Sequence, residues 1–232
     1  MSALRPTVLS EPAGPWQLIV DQPGSPGTDA QRRSDGASNV LRFRPCCSAS
    51  AVTDDDRRRW DDRYANQAQP AVNAVGPPAI FAPYAEAFPS SGLALDLACG
   101  QGLGTVWLAR RGLNVLGLDI SPVAIGQARD LARRNGFGDR CRFEAVDLDD
   151  GLPDGPPVDA ILCHKFRDRR LDRAIIERLA PGGLLAIAVL SEVGAAPGPF
   201  RAAPGELATA FGELDLIAAG EGDGTAWILA RA

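Results

Sequence analysis

Two kinds of basic side chain are nearly missing from this chain of 232 residues, which has one lysine (Lys165) and one histidine (His164). Arginine supplies almost all of the positive charge, and acidic residues still outnumber basic ones, for a net charge of −5. Nucleic acids and anionic membranes attract proteins with a basic surface, which this composition does not favour. We therefore expect neither a nucleic-acid partner nor a membrane partner.

Long hydrophobic runs are also missing. No stretch approaches the ~20 apolar residues of a membrane-spanning helix, and the N-terminus lacks the apolar core of a signal peptide. The five cysteines, at positions 46, 47, 99, 141 and 163, have no metal-like spacing and fit a reducing compartment better than a disulfide framework. These features predict a cytoplasmic protein without a metal site.

The composition changes near residue 52. Residues 1–51 mix Pro, Gly, Ser and Asp with two short apolar islands, "WQLIV" and "VLRF". So little apolar surface cannot offset the entropy lost on ordering. We expect residues 1–51 to be a disordered or weakly ordered tail and residues 52–232 to form one domain.

Strand and helix patterns alternate through this domain. A helix is predicted from Thr53, as its N-cap, and a short one over 77–88 with a kink at Pro83. Five apolar runs, at 93–97, 114–119, 141–146, 158–163 and 184–190, predict strands separated by helices over 104–112, 121–136 and 170–183. Two last strands flank "EGDG" as a hairpin. The fold class is therefore α/β, a doubly wound, mostly parallel seven-stranded sheet with a C-terminal antiparallel hairpin.

Polar residues follow each of the first four predicted strands. Asp96 closes the first strand ahead of three alternating glycines, Asp119 ends the second, Asp147 the third, and Cys163 with His164 the fourth. In a doubly wound sheet the carboxyl ends of the strands form the ligand crevice. We expect these side chains to share one site, with Asp119 near the surface of an open crevice.

The spacing of the glycines distinguishes two ligand classes. Nicotinamide-binding proteins place G-x-G-x-x-G in this turn, with the pyrophosphate on the helix that follows. Here the glycines run G-x-G-x-G, and Asp96 lies four residues before the first of them. A carboxylate there would repel a pyrophosphate, whereas it suits a ligand with an ammonium group, such as S-adenosylmethionine.

Four segments resemble class I S-adenosylmethionine-dependent methyltransferases: "LDLACGQG", "LGLDIS", "AVDLDD" and "LAPGGLLAIAV". Within that superfamily, "RWDDRYA", "HKFRDRRL" and "GPFRAAPGEL" are most similar to the small tellurite-resistance (TehB-like) type, over about residues 53–232. Relatives often carry an F-L-H-R sequence where this chain has "FRDR" at 166–169. The role of that family histidine is therefore not transferred to this chain.

The resemblance implies where the methionine part of the cofactor binds. Asp96 would hold its ammonium group through water, with the backbone carbonyls of Ala98 and Gly100 nearby. Gly102 would let the loop pass under the cofactor.

The resemblance also implies the nucleoside contacts. Asp119 would accept from both ribose hydroxyls, and Ile120 would pack on one face of the adenine. Asp147 would accept from the adenine amino group, Leu148 would donate a backbone N–H to the ring, and Cys163 would act through its carbonyl.

Two assignments have alternatives. Trp60, Arg63 and Tyr64 would form a lid over the cofactor, or a helix packed on the edge of the sheet. His164 would be a general base or substrate contact, or a polar residue at the rim of the site. The leading function is methyl transfer from S-adenosylmethionine to a small-molecule acceptor. The alternatives are a nicotinamide-dependent oxidoreductase and a non-catalytic S-adenosylmethionine-binding protein.

Overall fold

The computed structural model describes residues 49–198 and 201–232. The predicted tail, with both of its apolar islands, therefore lies almost entirely outside the described residues. Within these two segments the α-helices are α1 Ala49–Ala65, α2 Leu103–Arg111, α3 Pro122–Arg134, α4 Asp172–Arg178 and α5 Glu206–Ala210. The seven strands are β1 Leu93–Leu97, β2 Asn114–Asp119, β3 Cys141–Ala145, β4 Val158–His164, β5 Leu179–Leu190, β6 Asp215–Gly222 and β7 Thr225–Arg231.

The strands form one sheet in the order β3-β2-β1-β4-β5-β7-β6. The strands from β3 to β5 in this order pair in parallel, and β7 runs antiparallel to both β5 and β6. This arrangement confirms the predicted fold class. Leu97 pairs with both Leu118 and Cys163, so the ends of β1, β2 and β4 lie side by side.

Apolar runs place β1, β2, β4 and β5 in the interior, where Leu97, Leu118 and Leu184 are fully buried. Buried residues of α2 and α3 cover the sheet, and four aromatic rings extend this core: Phe81, Phe88, Trp107 and Trp227. Removing this much apolar surface from water stabilises the sheet and positions its carboxyl edge. None of the helices in the two described segments has the length and apolarity to cross a lipid bilayer.

Several predicted helix and turn signals are confirmed. The Ser121 hydroxyl caps α3 by accepting from the Ala124 N–H at 3.1 Å. Gly112 ends α2 with a left-handed φ of 114°. Residues 79–87 form a 3₁₀ helix with a break at Tyr84, directly after Pro83, and the β6–β7 hairpin turns at Asp223 and Gly224.

Two predicted boundaries are wrong. The first helix begins at Ala49, so Thr53 lies inside α1 rather than at its N-cap. The helix predicted to run to Pro181 and Gly182 ends at Arg178, because Pro181 disfavours a helical conformation at the residue before it. Leu179 pairs with Val158 instead and begins β5.

Candidate functional site

Asp96 is an acid inside the core, only 4% exposed near the end of β1. Its Oδ2 accepts from the Thr105 hydroxyl at 2.6 Å. Burial is the main reason why its pKa rises to about 7, and the Thr105 hydrogen bond opposes this rise. A cation or a hydrogen-bond donor beside Asp96 would favour its ionised form.

The glycine loop permits close approaches on two sides. Gly100 has a φ of 54°, and a Cβ atom there would lie 2.8 Å from the Tyr64 hydroxyl. At Gly104, a Cβ atom would lie 2.6 Å from Leu162 and 3.1 Å from Asp96 Oδ2. Any larger residue at position 104 would therefore push α2 away from Asp96. At Gly102, a Cβ atom would clash with Ala128, so packing against α3 requires this glycine.

Asp119 is not near an open surface as expected, since it is only 5% exposed. Its Oδ2 accepts from the Gly100 N–H at 2.8 Å, and its Oδ1 accepts from the Ser121 N–H at 3.0 Å. Burial raises its pKa, whereas these two backbone N–H groups lower it. Asp119 therefore holds the glycine loop and the entry to α3 together, a structural role that the open-crevice expectation missed.

The residues predicted to contact the nucleobase follow β2 and β3. Asp147 is half-buried, and its Oδ1 accepts from the Asp149 N–H at 2.9 Å in a short 3₁₀ turn. Leu148 is buried, and Ile120 is half-buried. The Val146 N–H donates to the Asp119 carbonyl at 2.9 Å, which places the loop after β3 beside the end of β2.

Cys163 and His164 end β4 next to the glycine loop. Cys163 is buried, and burial raises the pKa of its thiol to about 12, so the thiol stays protonated at neutral pH. This fits a contact through its backbone better than chemistry at sulfur. His164 is half-buried, and its pKa is lowered first by burial and then by Lys165. Its imidazole is therefore neutral at pH 7.

Helix α1 packs on α3 and reaches the glycine loop. The Tyr64 hydroxyl lies at Gly100, the Trp60 ring stacks on Tyr64 with centroids 5.9 Å apart, and Arg63 lies 5.0 Å from the Trp60 centroid. Burial and the charge of Asp119 raise the Tyr64 pKa. A lid role for these residues remains a prediction.

Sequence reasoning missed the contacts that fasten α1. Asp61 accepts from the Ser121 hydroxyl and from the Val123 N–H, at the N-terminus of α3. The Gln127 amide donates to the Tyr64 carbonyl at 3.0 Å and accepts from Gln101 at 2.9 Å. The exposed N–H groups of α3 signal a nearby acid. Helix α1 contains four other acids that are equivalent in sequence, so the sequence did not single out Asp61.

Thr105 was also missed, although the sequence carries a signal for it. It directly follows Gly104, the last glycine of the loop, and is fully buried beside Asp96. A hydroxyl at the first turn of the helix after such a loop is well placed to bond the acid that precedes the loop. Among the residues that the structure describes, no group of His, Cys, Asp or Glu could hold a metal ion.

The sequence around the glycine loop and β2 to β4 is similar to the sequences of known methyltransferases. Residues 94–183 match the family model described as a methyltransferase domain. The chain is 34% identical over 108 residues to a ubiquinone biosynthesis O-methyltransferase of Xylella fastidiosa, covering 44% of this chain and 43% of that protein. It is 35% identical over 90 residues to the 23S rRNA methyltransferase RlmD of Azoarcus, covering 37% and 20%. The chain thus spans less than half the length of these curated relatives.

Solved structures share the fold over a longer stretch. TehB from Haemophilus influenzae superposes with a TM-score of 0.58 at 18% identity, covering 74% of this chain and 66% of that one. Geranyl diphosphate C-methyltransferase from Streptomyces coelicolor superposes with a TM-score of 0.59 at 16% identity, covering 79% and 98%. Residues 94–183 therefore match a methyltransferase domain, and the fold around them is similar to that of TehB.

Proposed function

We propose that this protein transfers a methyl group from S-adenosylmethionine to a small-molecule acceptor. The observation that carries the proposal is a pair of buried acids, Asp96 and Asp119, at the carboxyl edge of the sheet. Neither makes a salt bridge within the described segments. Buried acids are usually paired, and a cofactor with an ammonium group and two ribose hydroxyls would supply the missing partners.

The free lone pairs of Asp119 fit a ribose. A carboxylate can accept about four hydrogen bonds, and Asp119 accepts two, from Gly100 and Ser121. Two positions remain, one for each ribose hydroxyl. The two bonds already made also hold the carboxylate in place before the cofactor binds.

The surroundings of Asp96 suit an ammonium group. Its Oδ2 is bonded to Thr105, and a pKa of about 7 leaves it poised between its neutral and ionised forms at neutral pH. An ammonium group reached through water would complete the ionisation. Gly104, which has no side chain, allows the start of α2 to lie close to this carboxylate.

The remaining residues would orient the acceptor and manage its proton. S-adenosylmethionine, when bound, supplies an electrophilic methyl group on its sulfonium. In-line alignment and the exclusion of water account for much of the rate of such a transfer, and α1, with Tyr64 over the glycine loop, would exclude water from one side. His164, neutral at pH 7, would accept the proton that a hydroxyl or amine acceptor loses on attack.

Charge supports a small acceptor over RNA, although some relatives are named as rRNA methyltransferases. The chain is acidic overall, with a net charge of −5. The arginines after β4 are held in ion pairs with acids of this chain rather than forming an unpaired basic surface. RNA-binding surfaces gain most of their affinity from basic groups that meet phosphates.

Calorimetry of the full chain with S-adenosylhomocysteine, S-adenosylmethionine and NAD tests the cofactor. We expect micromolar binding of the two sulfur compounds and none of NAD. The matched control is Asp215→Asn, which removes an exposed carboxylate from β6 and should bind like the wild type. Saturable NAD binding with no response to either sulfur compound would contradict the proposal, and methylation of an rRNA fragment in place of small acceptors would contradict its acceptor class.

A further inference from the structure

The segment His164–Arg170 follows β4 and contains four of the chain's cations within six residues: Lys165, Arg167, Arg169 and Arg170. Its first residue, His164, pairs with Ala188 at the carboxyl end of β4. Because Leu97 of β1 lies beside Cys163, the segment starts next to the glycine loop. It therefore borders the candidate site on the side away from Asp119.

Arg167 fixes this segment through buried ion pairs. Its side chain is only 4% exposed, and its two Nη atoms donate to the Asp172 carboxylate at 2.5 and 2.8 Å. Its Nε donates to Glu206 at 2.7 Å. A guanidinium with two carboxylate partners in fixed geometry holds the backbone firmly, so β4, α4 and α5 are tied together under the segment.

The other two arginines are also neutralised. Arg169 donates to Glu206 at 2.6 Å, and Arg170 donates to Asp168 at 2.6 Å and to Asp149 at 2.7 Å. The shared partner Glu206 has its pKa lowered to about 2, first by Arg169, which shows that it stays ionised at neutral pH. Each arginine of the segment is therefore occupied by an acid of the same chain.

Lys165 differs from these arginines. Its side chain is exposed and makes no hydrogen bond or ion pair with any residue that the structure describes. Its backbone has a φ of 66°, a left-handed conformation that a residue with a side chain rarely adopts. The Lys165 N–H donates to the Ala188 carbonyl at 2.7 Å, which keeps this conformation in place.

We propose that the Lys165 ammonium binds a carboxylate carried by the methyl acceptor. This inference rests on the proposed function and names the substrate class for the same site. Strained, non-glycine backbone is concentrated at ligand sites, where surrounding contacts maintain it. Here those contacts are the bond to Ala188 and the anchored Arg167, and they present the segment's one unpaired cation at the carboxyl edge of the sheet.

A carboxylate suits this position better than a phosphate. Phosphates are usually held by several donors together, often the forked guanidinium of arginine or a row of backbone N–H groups. All three neighbouring arginines are occupied, so one compact ammonium group remains. A single positive charge matches the single negative charge of a carboxylate.

The test uses the full chain, S-adenosylmethionine and a panel of hydroxy acids, each beside its uncharged primary amide, with release of S-adenosylhomocysteine as the readout. We expect at least one acid to react with a kcat/KM tenfold or more above that of its amide. Lys165→Met should lower kcat/KM for the acid ten- to a hundredfold, mainly through KM, and leave the amide unchanged. Lys165→Arg should retain part of the preference. Arg173→Met, which removes an exposed cation from α4, should behave like the wild type.

Three results would overturn the inference: equal turnover of acid and amide by the wild type, equal loss of both in Lys165→Met, or no turnover of any panel acid. S-adenosylhomocysteine binding, measured first on every variant, separates these results from failure of the proposed function. If the wild type does not bind that compound, the proposed function fails, and this inference fails with it.

Discussion

The acids in the two halves of the sheet have opposite surroundings, and their pKa values shift in opposite directions. On the side of β1 and β2, Asp96 and Asp119 are buried among backbone N–H groups and a hydroxyl, and their pKa values are raised. On the side of β4 and β5, Asp172 and Glu206 bind the guanidinium of Arg167, and Arg169 first and then Arg167 lower the pKa of Glu206 to about 2. Among residues 49–198 and 201–232, the first pair lacks the cationic partner that the second pair has.

Under the proposed function, this difference distinguishes acids that hold the fold together from acids that bind the cofactor. Acids with internal arginine partners are satisfied in the folded protein and hold its elements together. Acids buried without such partners cost stability, and they are retained where a ligand completes them. The comparison therefore predicts that changes in the second half affect folding alone, whereas changes in the first half affect cofactor binding as well as folding.

The largest effect is expected from Arg167→Met. The variant leaves the Asp172 carboxylate without its buried guanidinium partner, while Glu206 keeps its bond to Arg169, and breaking a buried ion pair in this way typically costs about 3–5 kcal/mol. For a domain of this size the melting temperature should fall by roughly 6–20 °C. Arg173→Met, whose partners Glu177 and Glu213 are exposed, should leave the melting temperature nearly unchanged, because solvent screens exposed ion pairs. Equal decreases in the melting temperatures of the two variants would contradict this comparison.

Asp119→Asn should affect both properties, binding more than folding. The variant loses the charge that favours ribose hydroxyls, which is worth roughly 1.5–3 kcal/mol, or about ten- to a hundredfold in affinity for S-adenosylhomocysteine. One of the N–H groups of Gly100 and Ser121 would also face an amide N–H. The melting temperature should therefore fall by a few degrees, and Asp119→Ala should lower it further. Calorimetry and thermal unfolding measure both, and unchanged affinity with a lower melting temperature would make Asp119 purely structural.

Asp96 should make stability depend on pH with an unusual sign. Its folded pKa of about 7 lies above its ordinary value of 3.8, so the folded state binds the proton more tightly than the unfolded state. The contribution of Asp96 to stability is therefore largest at low pH and is lost as the pH rises from about 4 to about 7. Asp96→Asn should remove this loss, which is on the order of 1.4 kcal/mol for each pKa unit.

The measurement is thermal unfolding of the wild type and Asp96→Asn between pH 5 and pH 8 without ligand. The melting temperature of the variant should rise relative to that of the wild type as the pH rises. Its affinity for S-adenosylhomocysteine should be lower than that of the wild type. If the wild type and the variant had the same melting temperature at every pH, ionisation of Asp96 would not lower the stability of the folded protein.

The smallest effect is expected from removing residues 1–48. We propose that they form a tail separate from the methyltransferase domain, since the residues of both halves lie beyond Ala49, where α1 begins. A chain that starts at Ala49 should melt within about 2 °C of the full chain, a change below 1 kcal/mol, and should bind S-adenosylhomocysteine equally. Loss of several degrees, or tenfold weaker affinity, would show that the tail belongs to the domain.

Most of the fold followed from local patterns in the sequence. The apolar runs at 93–97 and 114–119 match β1 and β2 residue for residue, and Ser121 with Pro122 marks the start of α3. The end of α4 was misplaced, because pairing between Leu179 and Val158 joins residues 21 positions apart in sequence and no helical period reports it. The glycine loop and Asp119 were found because strand, turn and acid are close together along the chain.

The sequence by itself determined the order of strands and helices, the glycine loop and the acids that end its strands, since periodicity and turn chemistry act over a few residues. Only the tertiary structure decided that Asp61 fastens α1 to Ser121 and that Glu206 joins Arg167 and Arg169. It also decided that Asp119 is buried and that Lys165 is left unpaired within the described chain. The physical reason is that charge pairing and burial depend on which distant segments the sheet brings together, and many acids and arginines in this sequence are locally equivalent.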